Sequence, residues 1–425
     1  MAIISNTELI TVGVQTGTAS ATQGNRQIAP IAGFNTIPVN TGTFSASETY
    51  ENIMDQGRRG SEAMDYNSYQ GVGSTEISFE FPMMFGNTYA GNGGAVTDHS
   101  GSVLGILLRN MLNTGPNAAG SGITPIKTTN LETTAGTPVV TRTWQTYFRL
   151  GNSFLTAAQT EYLTIGRTLK DGTGAFAGNA QYKDCRVTEI AISANAGEGA
   201  VTVSVTLTGQ PATVSDTAAV ANKTLSTHIA LGWKNEQIAT NTIFQPKLMG
   251  TDLYTAGEAG ANTNRMISFE ATLSRAATPV YGLNNTQGYN NIYLGPLEVT
   301  YNAVAQLNNT ELAIVRAGRP AVGDVYDTRI AFSEGLGAQT GATATEKSMA
   351  LVIGIKDSTP IEAPMEIDAS GEYATVSISA RALATNGNLL ISNDDYDNTS
   401  DTNRSPIEIM IQEQGQNTTT SPKYQ

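Results

Sequence analysis

The stretch Val201-Thr202-Val203-Ser204-Val205-Thr206-Leu207-Thr208 alternates apolar and hydroxyl residues with a period of two. Successive side chains of a strand point to opposite faces, so this pattern predicts a strand with one buried and one polar face. Thr188-Glu189-Ile190-Ala191-Ile192-Ser193-Ala194 precedes it, and Asn195-Ala196-Gly197-Glu198-Gly199 supplies turn residues between the two. The three segments together predict a β-hairpin.

The pattern returns near the end of the chain. Ala363 to Asp368 leads through Ala369-Ser370-Gly371-Glu372 into Thr375-Val376-Ser377-Ile378-Ser379-Ala380. A second echo precedes each hairpin. Gly73-Ser74-Thr75-Glu76-Ile77-Ser78-Phe79 and Gly295-Pro296-Leu297-Glu298-Val299-Thr300-Tyr301 share glycine, glutamate, β-branched, hydroxyl and aromatic residues at the same spacing. The order of the two signals is kept, which predicts two copies of one β unit. On this reading the chain has an N-terminal arm (1–44), a first unit (45–215), a linker (216–261), a second unit (262–391), and a segment of acidic loop, last strand and tail (392–425).

One helix is expected over Val103 to Leu112, where Val103, Leu107 and Met111 share a face. Ser100 or Ser102 would cap it, and it would cover one face or end of a β-sandwich. Glu311 to Val315 is a weaker counterpart in the second unit. Cys185 opens a predicted strand and reads as a small buried hydrophobe. It is the chain's one cysteine, so an intrachain disulfide is excluded.

Charged residues are 14% of the chain, and Thr, Asn, Ser, Ala and 43 Gly take their place. Uncharged polar surfaces suit large contacts between copies, because few charges are desolvated there. The net charge of −13 argues against tight nucleic-acid binding, which needs basic stripes that release counterions. It is compatible with a surface past which DNA slides. The first residues lack the basic start of a signal peptide, and the apolar run 103–112 is too short to span a bilayer. Synthesis in the cytoplasm and a soluble product are expected.

Chemical signatures are sparse. His99 and His228 are the two histidines, which leaves no His-rich metal site. Gly71-Val72-Gly73 lacks the third glycine of a dinucleotide loop and opens a strand. The acidic run 393–401 lacks the central glycine and closing glutamate of a calcium loop. Glu366 with Asp368, or Glu270 with Glu298, are the carboxylates that a glycosidase reading would pair. No catalytic, cofactor or metal residue is assigned. Glu51, Asp55, Arg58, Arg59, Glu62 and Asp65 form a mixed-charge run in a charge-poor chain, and are candidates for contacts between subunits.

Arg58 through Pro82, the helix 104–112, Cys185-Arg186-Val187 with the following hairpin, Ile267 to Ala271, Gly295 to Tyr301 and Ala374 to Leu383 together resemble the tail tube proteins of long-tailed bacteriophages. The resemblance implies a mainly β fold of two tandem β-sandwich or half-barrel units, each with a flanking helix and long loops. It implies a structural subunit and not an enzyme. Copies would close into rings of three or six chains and stack into the conduit for DNA ejection, with tape-measure and terminator proteins as partners and no membrane contact. The location implied is the virion tail, after synthesis in the bacterial cytoplasm. Glu366 and Asp368 are candidates for an acidic lumen. The segments 113–180 and 393–401 depart from the pattern and would decorate the outside. The alternative is another virion or surface β-protein, such as an adhesin or decoration protein.

Overall fold

A computed structural model describes residues 3–15, 35–55, 67–85, 103–113, 126–130, 141–151, 162–171, 179–196, 200–215, 229–230, 247–252, 266–281, 289, 291–306, 325–334, 349–361, 366–368, 375–384, 389–391 and 405–416. The first half of the chain supplies β1 (Ile3–Val14), β2 (Asn35–Ile37), β3 (Ser45–Asp55), β4 (Asn67–Pro82), β5 (Met84–Phe85), the helix α1 (Val103–Leu112), β6 (Ile126–Asn130), β7 (Thr141–Arg149), β8 (Leu163–Asp171), β9 (Asn179–Asn195), β10 (Thr202–Gly209) and β11 (Thr213–Ser215). The second half supplies β12 (Ile229–Ala230), β13 (Lys247–Leu248), β14 (Thr251–Asp252), β15 (Met266–Ser274), β16 (Ala277–Val280), β17 (Asn291–Leu294) and β18 (Glu298–Gln306). It ends with β19 (Tyr326–Glu334), β20 (Met349–Pro360), β21 (Glu366–Asp368), β22 (Thr375–Leu383) and β23 (Glu408–Gln416). The protein is mainly β, and α1 is the one helix among the described residues.

Nineteen strands form one connected antiparallel sheet. The predicted hairpin is β9–β10, in register from Ser193↔Thr202, and its second strand buries Val203, Val205 and Leu207. The later hairpin is β21–β22, with Glu366 opposite Ser377. Its described first strand is Glu366–Asp368, and residues 363–365 of the sequence pattern lie outside the described residues. The helix lies where the apolar period placed it, with Leu107, Leu108, Met111 and Leu112 fully buried. Asn113 ends it with a positive φ, a conformation that asparagine tolerates at a helix C-terminus. Asn110, also buried, accepts a hydrogen bond at Oδ1 from Val187 N at 2.8 Å.

The same pairings occur twice in the same chain order. In the first half β1 pairs with β2 and β8, β3 with β4, β4 with β10, and β9 with β10, β8 and β11. In the second half β13 pairs with β14 and β19, β15 with β18, β18 with β22, and β20 with β22, β19 and β23. Both Gly-x-x-Glu glutamates sit at the same place in this scheme: Glu76 pairs with Ser47 and Glu298 with Ser274. The two sets join through β9 and β15, from Glu189↔Ser274 to Asn195↔Ser268.

Three segments take part in the sheet where the sequence suggested arm, loop or linker. Ile3–Val14 runs along β8 and buries Ile10 and Val12. Within 113–180, β7 pairs with the last strand, β23, and β6 pairs with β7, so the two extend the sheet. Within 216–261, β13 pairs with β14 and β19. One apolar cluster includes residues from β1 to β23. On β20, Ala350 to Ile355 are buried without alternation, so both faces of that stretch are covered.

Candidate functional site

The strands β3, β4, β10, β9, β15, β18, β22 and β20 follow one another by direct pairing. Strand parity decides what each face of this run presents. Inward positions carry Ile77, Phe79, Val205, Ile192, Phe269, Val299 and Ile378, all buried. The opposite face presents Glu76, Ser78, Glu80, Ser204, Thr206, Glu189, Ser193, Glu270, Thr272, Glu298, Thr300 and Ser379 as exposed or half-buried residues. Hydroxyls and carboxylates dominate it. Arg381, an exposed cation on this face, pairs with Glu298 at 3.1 Å. Both groups are about half exposed, so that ion pair contributes little to stability, roughly 0–1 kcal/mol.

Carboxylates are interleaved with uncharged partners. Ser274 lies between Glu189 and Glu298, Glu270 lies between Ser193 and Asn302, and Glu76 lies between Ser47 and Thr208. Like charges directly opposite one another destabilise a sheet, and this arrangement avoids them. Asn40 Nδ2 donates to Glu80 Oε1 at 2.8 Å. The result is a face of diffuse negative charge. Glu270 stands opposite Asn302, four residues along β18 from Glu298. At about 3.3 Å per residue the two are about 13 Å apart along the strands, beyond the span of a glycosidase pair.

Both margins of this run are open among the described residues. On β3, Ser45, Ser47, Glu48, Thr49 and Tyr50 are exposed, and β4 is the strand's one partner. At the other margin β19 covers β20 as far as the Tyr326↔Ser358 pair, and beyond it Thr359, Pro360 and β21 have β22 as their partner on one side. Ile361 follows directly and is 51% exposed. Unpaired edges of this kind are templates for pairing with another chain.

The internal joint between β9 and β15 is reinforced. Arg275 N donates to Thr188 O at 2.8 Å. Its side chain donates from Nε to Gly295 O at 2.7 Å and from Nη1 to Met111 O at 3.1 Å. That last bond places a guanidinium at the C-terminal end of α1, where the helix dipole favours positive charge. Burial lowers the pKa of Arg275 to about 10.

Of the residues singled out in the sequence, Glu51 is exposed on β3 and Asp55 ends that strand. Arg58, Arg59, Glu62 and Asp65 lie outside the described residues, as do His99, His228 and the acidic run 393–401. Glu366 and Asp368 stand on β21 in register with Ser377 and Thr375. The outward carboxylates Glu80 and Glu189 were missed as members of a shared face. Their signal was strand parity, read across strands whose neighbours the sequence does not name. Among the described residues no group of acidic, histidine or cysteine side chains gathers in a way that could hold a metal ion, and no helix is long and apolar enough to cross a membrane. Compared with known proteins, the chain matches no family model and no curated protein.

Proposed function

We propose that this protein is the tube subunit of a long-tailed phage tail. Copies join edge to edge into rings, the rings stack, and DNA passes along the acidic face. One observation carries the reading: a run of eight paired strands offers a hydroxyl and carboxylate face and, among the described residues, has an open edge along β3 at one side and from Thr359 onward at the other. Closure between copies pairs those edges, by the same logic that removes edges from a barrel. A wall carrying Glu76, Glu80, Glu189, Glu270 and Glu298 repels phosphate and has no basic stripe to hold it.

The repeated set of pairings supports the tandem part of the proposal. Two units per chain of half-barrel or sandwich type would let three chains imitate a ring of six equivalent units. Tape-measure and terminator proteins are the further partners on this reading, and the assembled protein belongs to the virion tail.

Negative-stain images of the purified chain, with mass measurement of any ring, test the proposal. Rings or stacked tubes with a central channel are expected, at a mass of three chains. Dispersed monomers at high concentration would overturn it.

A further inference from the structure

The joint inside the chain predicts the joint between chains. We infer that the β3 edge of one copy pairs antiparallel with the β20 edge of a second copy, in the register already used by β9 and β15, so that Ser47 faces Thr359 and Ser45 faces Ile361. The inference rests on the tube reading for its closure into a ring, but its register comes from the pairings within this chain.

The register follows by matching partners. Ser274 pairs with Glu298 and Ser47 with Glu76, the same position of the two Gly-x-x-Glu strands. Glu189 pairs with Thr206, which pairs with Ser78. Thr359 pairs with Arg381, which pairs with Thr300. Ser78 and Thr300 each lie two residues beyond their glutamate, so Thr359 occupies the place of Glu189. The internal pair Glu189↔Ser274 therefore becomes Thr359 opposite Ser47. Two residues along, Ala191↔Thr272 becomes Ile361 opposite Ser45. Ile361 N donates to Ser379 O at 2.9 Å, and Ser379 pairs with Asn302. Ala191 pairs with Ser204, which pairs with Glu80, so Ile361 and Ala191 match as well.

Two features of the edges fit this partner. Ile361 is a large apolar residue, 51% exposed at the margin of a sheet, where a second strand would cover it. Pro360 stands where Ile190 stands in the internal joint, since Ile190 pairs with Val205 and Pro360 with Ala380. Proline has no N–H to donate. The joint between chains is thus one hydrogen bond short, and it also lacks the Arg275 contacts that lock the internal one. It is the weaker of the two, so rings should dissociate into folded chains before the chains unfold.

The internal joint also says which positions can be bridged. The bonds from Arg275 N to Thr188 O and from Ala196 N to Ile267 O make Glu189↔Ser274 and Ala191↔Thr272 non-hydrogen-bonded pairs, whose Cα atoms lie about 4.5 Å apart. That spacing admits a disulfide. Within one chain Ser47 and Thr359 are separated by seven strand-to-strand steps, about 34 Å along the sheet at 4.8 Å each, so an engineered bridge reports contact between copies.

The test is mild oxidation of S47C/T359C and S45C/I361C in full-length protein, with S45C/T359C as a two-residue slip. Native Cys185 is buried. Circular dichroism checks that each variant folds, and non-reducing gels and electron microscopy read the product. Covalent multimers from both in-register variants, and at least tenfold less from the slipped one, are expected. If rings form and the slipped variant links best, or neither in-register variant links, the register is wrong while the tube reading stands. If neither rings nor links form in folded protein, both fall.

Discussion

Arg149 Nε and Glu408 Oε1 form an ion pair at 3.0 Å with side chains 3% and 1% exposed. The pair lies directly across β7 and β23 and so fastens an insertion of the first half to the last strand of the chain. Glu408 Oε2 also accepts from Ile391 N at 3.0 Å. Beside it, Gln145 Nε2 donates to Gln412 Oε1 at 2.7 Å, and Tyr147 OH donates to Gln145 Oε1 at 2.7 Å. A segment that looked like surface decoration is held by buried polar contacts.

Removing one member of that pair leaves a buried charge uncompensated. Arg149→Ala is expected to destabilise the protein by about 3–5 kcal/mol. Arg149→Met with Glu408→Gln should cost less than the single change, since no lone charge is then buried. Urea unfolding of the two variants and wild type measures the difference.

Tyr50 packs its ring on Gly73 across β3 and β4. A Cβ at Gly73 would meet Tyr50 Cδ1 at 2.6 Å, Tyr50 Cε1 at 2.7 Å and Pro211 Cγ at 2.9 Å. Gly73→Ala should cost about 1–3 kcal/mol by overpacking. The loss should be smaller when measured against Tyr50→Ala, because the ring is the nearest obstacle. A double-mutant cycle in thermal unfolding reads that coupling.

Burial pushes the Cys185 thiol up, far above its ordinary range. Unfolded chain would ionise there above about pH 8.5 while folded chain keeps its proton. The folded state then binds more protons, so stability falls as pH rises. Below the unfolded value the contribution is fully present. Above it the slope from this group is about 1.4 kcal/mol per pH unit. Cys185→Ala should lack that slope between pH 8.5 and 10, as measured by denaturant midpoints. The native thiol should react with a thiol reagent only upon unfolding.

If the outward glutamates keep DNA from adhering, reversing them should make it adhere. Glu76→Lys, Glu189→Lys and Glu270→Lys combined should leave stability nearly unchanged, because these positions are exposed. Duplex DNA should bind the triple variant with an affinity that falls steeply with salt, and wild type not at all. Fluorescence anisotropy at two salt concentrations distinguishes these outcomes.

Much of the local structure was legible in the residues themselves. The alternation around Val203 and Val205, the glycine-rich turns and the face of Val103, Leu107 and Met111 specify strands and a helix because side-chain periodicity is a property of the chain. Parity also told which residues of β10 are buried. The burial of Cys185 followed from its type and surroundings.

Partner choice was not legible in the same way. That β1 packs on β8, that β7 pairs with β23, and that β9 joins β15 depend on contacts between segments far apart in sequence. Glu80, Glu189, Glu270 and Glu298 became a common face only once their strands were neighbours. The chain's own sequence determined which residues alternate and which segments turn. Tertiary structure alone decided which strands meet and which edges stay open, because a strand's hydrogen-bonding groups are the same in every sequence and pairing is selected by the buried faces of the whole molecule.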